Sequence, residues 1–352
     1  MRYSKKDLLI VASVSLAFFT VAWAGLEIGL TFFRPSPYVY DELLGWRNKE
    51  NFQGKFPQKT FGGKDYVVSF STDGKGLRHF GSRADAPIKI LVLGDSYTAD
   101  PYASDDRMWY GAMIERIAQR SHRPQADFYV QAGGSGGWGT YQELLYAEQL
   151  AQSAHPNLFV LQFCSNDFQN NTYEWEKESI VRGQYLRRPF ATLDSQTPKY
   201  VPGLLGQLFR SFVGRSRLFN RIDAFIEAMQ FRTYGGYIGP LPADLTEQYE
   251  RDSIALTKML LVRLRNLYRD VPAVMVNCDG NEAGPNKFWK NVAQDAGFIP
   301  LAGPSDFLRA LKPDERKQFL HADQGHMSEE GNRAYGLIAG DAIASLGLAA
   351  LN

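Results

Sequence analysis

The chain has 352 residues, 44% of them hydrophobic and 22% charged, with a formal net charge of +1. That length suffices for one large α/β domain or two small ones, and the composition is that of a globular protein with a real core. The near-neutral balance gives no global pull toward nucleic acid or acidic partners. Two cysteines without metal-ligand spacing exclude a disulfide-dense scaffold and a cysteine-based zinc site.

The N-terminus carries the first signal. Arg2, Lys5 and Lys6 precede an uncharged run from Leu8 to Leu26, which as a helix spans about 28 Å, close to a bilayer hydrocarbon core. Basic residues before the run and Asp41-Glu42 after it predict an inside N-terminus and an exported remainder. Ala22-Trp23-Ala24 supplies an A-x-A site, so a cleavable signal peptide is the competing reading. The length of the run, continued past Glu27 by Ile28, Leu30, Phe32 and Phe33, favours a cytoplasmic tail and transmembrane anchor over residues 1–33. Both readings export the rest of the chain.

Residues 34–85 read as a linker and small β-like prelude, punctuated by Pro35, Pro37, Gly45, Gly54, Gly62 and Gly63. Within it Tyr66–Phe70 alternates as a short strand, followed by a turn at Ser71-Thr72-Asp73-Gly74. From Ile88 the pattern changes to strand–helix alternation. Strands are predicted at Ile88–Leu93, Asp127–Gln131, Leu158–Phe163, Ala273–Val276 and Phe298–Leu301. Helices are predicted at Met108–Ala118, Tyr141–Ala151, Leu245–Tyr268, Phe288–Ala296 and Ser328–Leu346. Repeated β-α-β units with right-handed crossovers make a doubly wound parallel sheet, whose sites form at the carboxyl ends of its strands. Cys164 and Cys278 each close an apolar run that reads as a strand. The two are therefore candidates for neighbours in one sheet, where two buried free thiols are favoured over a disulfide.

An inserted lobe at about 170–242 interrupts the alternation. Between Lys177 and Arg232 it holds ten Lys and Arg against four acids, and Phe209, Phe212, Val213, Phe219, Ile222, Ile226 and Met229 fall at helical spacing. Such a helix reads first as packed on the core with a solvated basic face. The alternative is contact with an anionic polymer or with lipid headgroups.

Four segments at strand ends carry chemistry. Gly94-Asp95-Ser96 places a serine just past a buried strand, where a tight turn projects a nucleophile and leaves backbone N–H groups free. Asp323 and His326 are three residues apart before the last helix, a spacing that lets the carboxylate hold the imidazole in one tautomer as general base. Gly133-Gly134-Ser135-Gly136-Gly137 can turn backbone N–H groups toward a developing oxyanion, and Asn166 offers a side-chain N–H. Each segment alone also reads as ordinary turn or cap chemistry.

Together, in the order serine, glycine loop, Asn-Asp and Asp-x-x-His, these blocks resemble the SGNH/GDSL hydrolase superfamily over about residues 88–346. The resemblance implies a flavodoxin-like α/β fold for residues 86–352, with Ser96 as nucleophile and His326 and Asp323 completing a triad. It also implies oxyanion donors at Ser96, Gly136 and Asn166, with Gly133 and Gly134 as rivals to Gly136. Cys164 stands where many relatives have glycine, and Thr98-Ala99-Asp100-Pro101 lacks the glycines that many carry after the serine. No metal or organic cofactor is implied.

The expectation is a single-pass inner-membrane protein with a periplasmic or extracytoplasmic serine esterase domain. Its substrate would be an acylated small molecule or glycan, cleaved through an acyl-serine intermediate. An O-acyltransferase with the same triad is the alternative. A non-catalytic glycan-binding or assembly protein is the third reading, which an intact triad disfavours.

Overall fold

The computed structural model describes residues 4–33, 36–81, 85–99, 101–177, 182–234, 243–278 and 284–347. Arg2 of the basic tail, Pro35, Asp100, and stretches 178–181 and 235–242 of the lobe lie outside them. Helix α1 (Lys5–Phe33) buries none of its 29 residues and is long and apolar enough to cross a membrane, at about 43 Å by the rise per residue. After it come two antiparallel hairpins, β1 (Tyr38–Asp41) with β2 (Gly45–Asn48) and β3 (Gln53–Lys59) with β4 (Asp65–Ser71). The alternation at 66–70 marks β4, which buries Val68 and Phe70 against Phe52. Its partner β3 is polar and contains Pro57, as an edge strand tolerates, and no apolar alternation announces it.

Next come β5 (Arg78–Phe80), β6 (Ile88–Gly94), α2 (Ser96–Ala99), α3 (Trp109–Ser121), β7 (Phe128–Gly134), α4 (Thr140–Leu150) and β8 (Leu158–Phe163). The lobe holds α5 (Asn166–Asn170), α6 (Tyr173–Glu176), α7 (Arg182–Arg187), the hairpin β9 (Phe190–Thr192) and β10 (Ser195–Lys199), α8 (Gly203–Ser211) and α9 (Arg217–Tyr234). The chain returns through α10 (Ala243–Leu267), β11 (Ala273–Asn277), α11 (Trp289–Asp295), β12 (Ile299–Leu301), α12 (Pro304–Ala310), α13 (Pro313–Phe319) and α14 (Glu329–Ser345).

Six strands form the central sheet in the order β12-β11-β8-β6-β7-β5. The first five of these are parallel, and β5 runs antiparallel along the β7 edge. Counted along the chain, the parallel strands stand in the flavodoxin-like order 2-1-3-4-5. The doubly wound sheet is therefore present. Residues 78–80, which the sequence reading leaves in the prelude, are part of it.

Alternate residues of the inner strands β6, β8 and β11 enter opposite cores, whereas β7 faces one of them. Leu91, Leu93, Phe159, Leu161 and Met275 pack with α4 and α10 on one face. Ile90, Val92, Val130, Val160 and Val274 pack with α3 and α14 on the other. Each large apolar side chain so buried contributes about 1.5–3 kcal/mol.

Two expectations are corrected. Cys164 and Cys278 form a disulfide rather than two free thiols, with Cα atoms 5.1 Å apart. They extend the register that pairs Phe163 with Asn277 on adjacent strands, so the sheet itself brings the two sulfurs together. The apolar spacing through 209–229 is also not one helix, because the chain breaks between α8 and α9. Phe212, Ile222, Ile226 and Met229 are exposed instead of packed on the core, and nothing is described of the Phe209 side chain.

Glu143 of α4 is fully buried, and both its carboxylate oxygens lack a hydrogen-bond partner. Burial first, and then the Asp167 and Asp95 carboxylates nearby, push its carboxyl well above the usual range. The folded protein therefore keeps a proton that the unfolded chain releases above pH of about 4, and stability falls as pH rises from there toward the folded pKa. Glu143→Gln, neutral at every pH, should escape that loss. Its melting temperature should gain on that of the unmodified protein as pH is raised from 5 to 8 (roughly the range above a free carboxylate's pKa). A gap that stays constant with pH would show that Glu143 is ionised in the fold.

Candidate active site

The serine turn begins where β6 ends. A Cβ at Gly94 would meet Thr98 Oγ1 at 2.6 Å and the Gln162 carbonyl oxygen at 2.8 Å, so only glycine lets the strand run this close to β8. The Asp95 side chain accepts the Tyr97 N–H at 3.0 Å, and the Asp95 carbonyl accepts the N–H groups of Thr98 and Ala99. Together these start α2 with Ser96 at its head. Ser96 is 9% exposed: it stands at the strand end but is largely covered, its hydroxyl taken up by a neighbour.

That neighbour is His326. Ser96 Oγ lies 2.8 Å from His326 Nε2, and His326 Nδ1 lies 2.8 Å from Asp323 Oδ2. The other Asp323 oxygen accepts the backbone N–H groups of Gly325 and His326, both at 3.0 Å. With Asp323 accepting at Nδ1, the proton sits on that nitrogen and Nε2 is free to accept from Ser96. The loop carrying both residues is closed by the Leu320–Met327 bridge, and Gln324 takes a left-handed conformation (φ 63°) to make the turn. Just beyond it, Ser328 caps α14 by accepting the Gly331 N–H at 3.2 Å, which fixes where the loop ends.

Three residues that the sequence reading passes over complete the cluster. His321 Nδ1 stands 3.0 Å from the same Asp323 oxygen that faces His326, and its Nε2 is 3.1 Å from Gln58 Oε1. Gln58 is fixed in turn, because its amide nitrogen donates to the Pro101 carbonyl at 2.7 Å. Tyr102 stacks on His326 with ring centroids 4.1 Å apart and planes 14° apart, and meets His321 edge-on at 4.9 Å. The sequence reading pairs only His326 with a carboxylate. His321 was accessible as a second histidine two residues before Asp323, whereas Gln58 and Tyr102 carry no local signal. Tyr97 adds a ring 5.0 Å from His326 and donates its hydroxyl proton to the Gly325 carbonyl.

Burial alone would raise the Asp323 carboxyl. The hydrogen bonds from His321 and His326, with the charge of His326, outweigh it and hold the group well below the usual carboxylate range. Asp323 is therefore ionised wherever the protein is folded at ordinary pH. Its contribution to stability is present above the unfolded pKa of about 4 and is lost only as pH falls toward the folded value.

The oxyanion candidates follow from the sheet order, because β7 and β8 flank β6. Gly133 and Gly134 lie inside β7, paired with Leu93 and Gly94. A Cβ on Gly134 would sit 1.9 Å from the Gly94 carbonyl oxygen. These two glycines serve strand packing, whereas Gly136 stands past the strand in the loop. That loop is anchored by Trp46 Nε1, which donates to the Gly136 carbonyl at 3.0 Å. Asn166 opens α5 at the carboxyl end of β8. The turn before it is clamped by the Cys164–Cys278 bridge and by Asp167, which accepts the Cys164 N–H at 3.2 Å. No group of three or more metal-ligating side chains occurs among the described residues.

No protein-family model matches the chain, and no curated protein does. It is similar to solved structures of acetyl xylan esterases and GDSL-like proteins. One is an acetyl xylan esterase from the rumen bacterium Butyrivibrio proteoclasticus, at 12% identity, covering 81% of this chain and 68% of that one with a TM-score of 0.39. A GDSL-like lipase from Parabacteroides merdae is matched at 10% identity over 76% of this chain and 100% of that one, with a TM-score of 0.37. An acetylxylan esterase from Geobacillus stearothermophilus, solved as a catalytic mutant, is matched at 15% identity over 76% and 94%, with a TM-score of 0.36.

The geometry predicts a reactive serine. A fluorophosphonate probe should label Ser96, and His326→Ala should abolish the labelling. His321→Ala removes one donor to a carboxylate, an interaction worth about 1.5–3 kcal/mol, and should slow labelling by about 10–100-fold. Labelling at the unmodified rate in His321→Ala would show that Asp323 holds His326 without it.

Proposed function

We propose that the chain is a serine esterase that cleaves a small acyl ester through an acyl-serine intermediate. The observation that carries this reading is the unbroken relay from Ser96 Oγ to His326 Nε2 and from His326 Nδ1 to Asp323, at 2.8 Å in each link. His326 takes the Ser96 proton as Oγ attacks the ester carbonyl carbon, and the carbonyl oxygen becomes an oxyanion. The Ser96 and Gly136 N–H groups and the Asn166 amide are the proposed donors to that oxyanion. The tetrahedral intermediate collapses, the C–O bond to the leaving alcohol breaks, and the imidazolium returns its proton to that alcohol. Water, deprotonated by His326, then attacks the acyl-serine and releases a carboxylic acid and free Ser96. Ionised Asp323 stabilises the imidazolium in both halves.

The proposed location is the outer face of an inner membrane, with α1 as a single-pass anchor. The basic residues before the apolar run of α1, that run itself, and a disulfide of the kind that persists in oxidising compartments support this. The proposed substrate class, an acylated glycan or related small molecule of the envelope, rests on that location and on the resemblance of the site blocks.

Ser96→Ala should abolish hydrolysis of an aryl acetate while the melting transition stays close to that of the parent protein. Asn166→Ala should retain turnover lower by about 10²–10³, the usual cost of one oxyanion donor. Asp323→Asn should fall between the two, because the imidazole is misoriented rather than absent. Full activity in purified Ser96→Ala would overturn the nucleophile assignment. Adding an acceptor alcohol to the same assay separates transfer from hydrolysis by the product formed.

A further inference from the structure

The lobe leaves an apolar surface beside the anchor. Among the described residues, half of the large hydrophobic side chains exposed outside α1 belong to α8, α9 and the turn between them. On α9 they are Ile222, Phe225, Ile226 and Met229, at spacings of three, four and seven residues, which places them on one face. Leu205, Leu208 and Phe212 repeat the pattern along and just past α8, with Leu204 beside them. Phe212 and Phe225 are each 64% exposed, and apolar side chains gathered on one helix face, unlike singly scattered ones, mark a surface that something covers.

The position of this surface is set by α1. Glu27, the first charge after the apolar run, accepts the backbone N–H groups of Arg217 at 2.9 Å and Leu218 at 3.1 Å, and the Ser216 hydroxyl. One turn earlier, Trp23 packs on Phe219 with ring centroids 5.7 Å apart. The first turn of α9 is thus held at the level where the apolar run of α1 ends. Trp23 and Glu27 lie only about 6 Å apart along the helix axis. From Ile222 onward the apolar face of α9 is exposed rather than packed on α1, and its stripe begins one turn past the level of Trp23 and Glu27. Arg221 is exposed at the flank of the stripe, and Arg215 is exposed in the turn before α9, where it pairs with Glu42 at 2.8 Å, within a segment whose Lys and Arg outnumber its acids ten to four.

From these observations we infer that α8 and α9 form an amphipathic foot lying in the headgroup layer of the bilayer that α1 crosses. Their apolar face points into the acyl chains and their arginines meet anionic lipid headgroups. Helices of this kind sit about 5–10 Å into the boundary between headgroups and acyl chains, the depth at which Trp23 and Glu27 would place α9. The inference rests on the proposal that α1 spans the membrane. It adds that the catalytic domain is not suspended on a tether but seated on the surface. The lobe carries that seating to the site, because the Gln184 side chain of α7 lies directly against Gly137 in the glycine loop.

The test uses the full chain in vesicles of phosphatidylethanolamine and phosphatidylglycerol. Single cysteines are introduced as Phe225→Cys, Leu205→Cys, Leu16→Cys or Lys55→Cys and labelled with bimane; the two native cysteines are already paired. Fluorophosphonate labelling of Ser96 confirms that each variant is folded. Labels at 225 and 205 should lose most of their emission to lipids carrying a doxyl group near the headgroup. The label at 16 should be quenched by doxyl near the chain end, and the label at 55 by neither. Quenching at 16 with none at 225 and 205 would overturn the foot and leave the anchor standing. The same holds for labels there that are shielded from water yet unquenched, since another protein would then cover the face. No quenching at 16 would remove the anchor, and the foot with it.

Discussion

At Gly94 and Gly134 the backbones of β6 and β7 come closer than any side chain allows, and β8 crowds Gly94 from the other side. The site depends on this convergence. Three neighbouring parallel strands end level with one another, so the turns that follow them face a common space. Ser96, the 135–139 loop and Asn166 occupy those turns. At the carboxyl ends of the parallel strands the order reversal between β6 and β8 sends the following connections to opposite faces and leaves a crevice there. The two cores built on α3 with α14 and on α4 with α10 keep the strands from shifting relative to one another.

The base side of the cluster is assembled differently. His326 and Asp323 lie on a loop, which has no ladder to hold it. Its rigidity comes from partners around it: the Leu320–Met327 bridge, the Asp323 contacts to Gly325 and His326, and the Tyr102 ring stacked on the imidazole. The β3–β4 hairpin contributes as well. Gln58 reaches His321, the Lys59 carbonyl accepts the Ala322 N–H at 2.9 Å, and Thr60 bridges to His321. The β3–β4 hairpin therefore braces the loop that carries His321, Asp323 and His326. An ion pair between a fully buried arginine and a half-buried aspartate ties β4 to β5. Arg78 of β5 is fully buried and lies 2.8 Å from Asp105, which also accepts the Ser71 N–H and hydroxyl of β4. Removing one partner of such a pair leaves an uncompensated charge and costs about 3–5 kcal/mol.

The lobe follows the same logic at the opposite edge. Arg188 is buried over the Trp46 ring and donates to Gln142 at 2.6 Å, and Gln142 donates to the Leu44 carbonyl. These contacts tie the lobe to β2 and α4, beside the loop that bears Gly136. One side of the lobe is thus bound into the domain through buried polar groups. The other side carries apolar groups that the domain does not use, next to the end of α1.

The sequence by itself determined the elements whose signal is local. The three inner parallel strands β6, β8 and β11 are nearly continuous apolar runs because both faces of the sheet are buried there. Helix α1 is a long apolar run, and the Gly-Asp-Ser and Asn-Asp blocks stand at strand ends where turn chemistry is concentrated, whereas the Asp-x-x-His block, expected at a strand end, lies in the loop between α13 and α14. Tertiary structure decided what depends on partners far apart in the chain. Gln58, Tyr102 and His321 acquire their places only when β3 folds against the 321–327 loop, and a polar edge strand such as Gln53–Lys59 shows no alternation to betray it. Cys164 and Cys278 are 114 residues apart, and their pairing depends on β8 and β11 being sheet neighbours in register. Helical spacing through 209–229 marked an apolar face but not what it faces. Periodicity records which residues avoid water along one helix, and the surface that receives them is a property of the assembled fold.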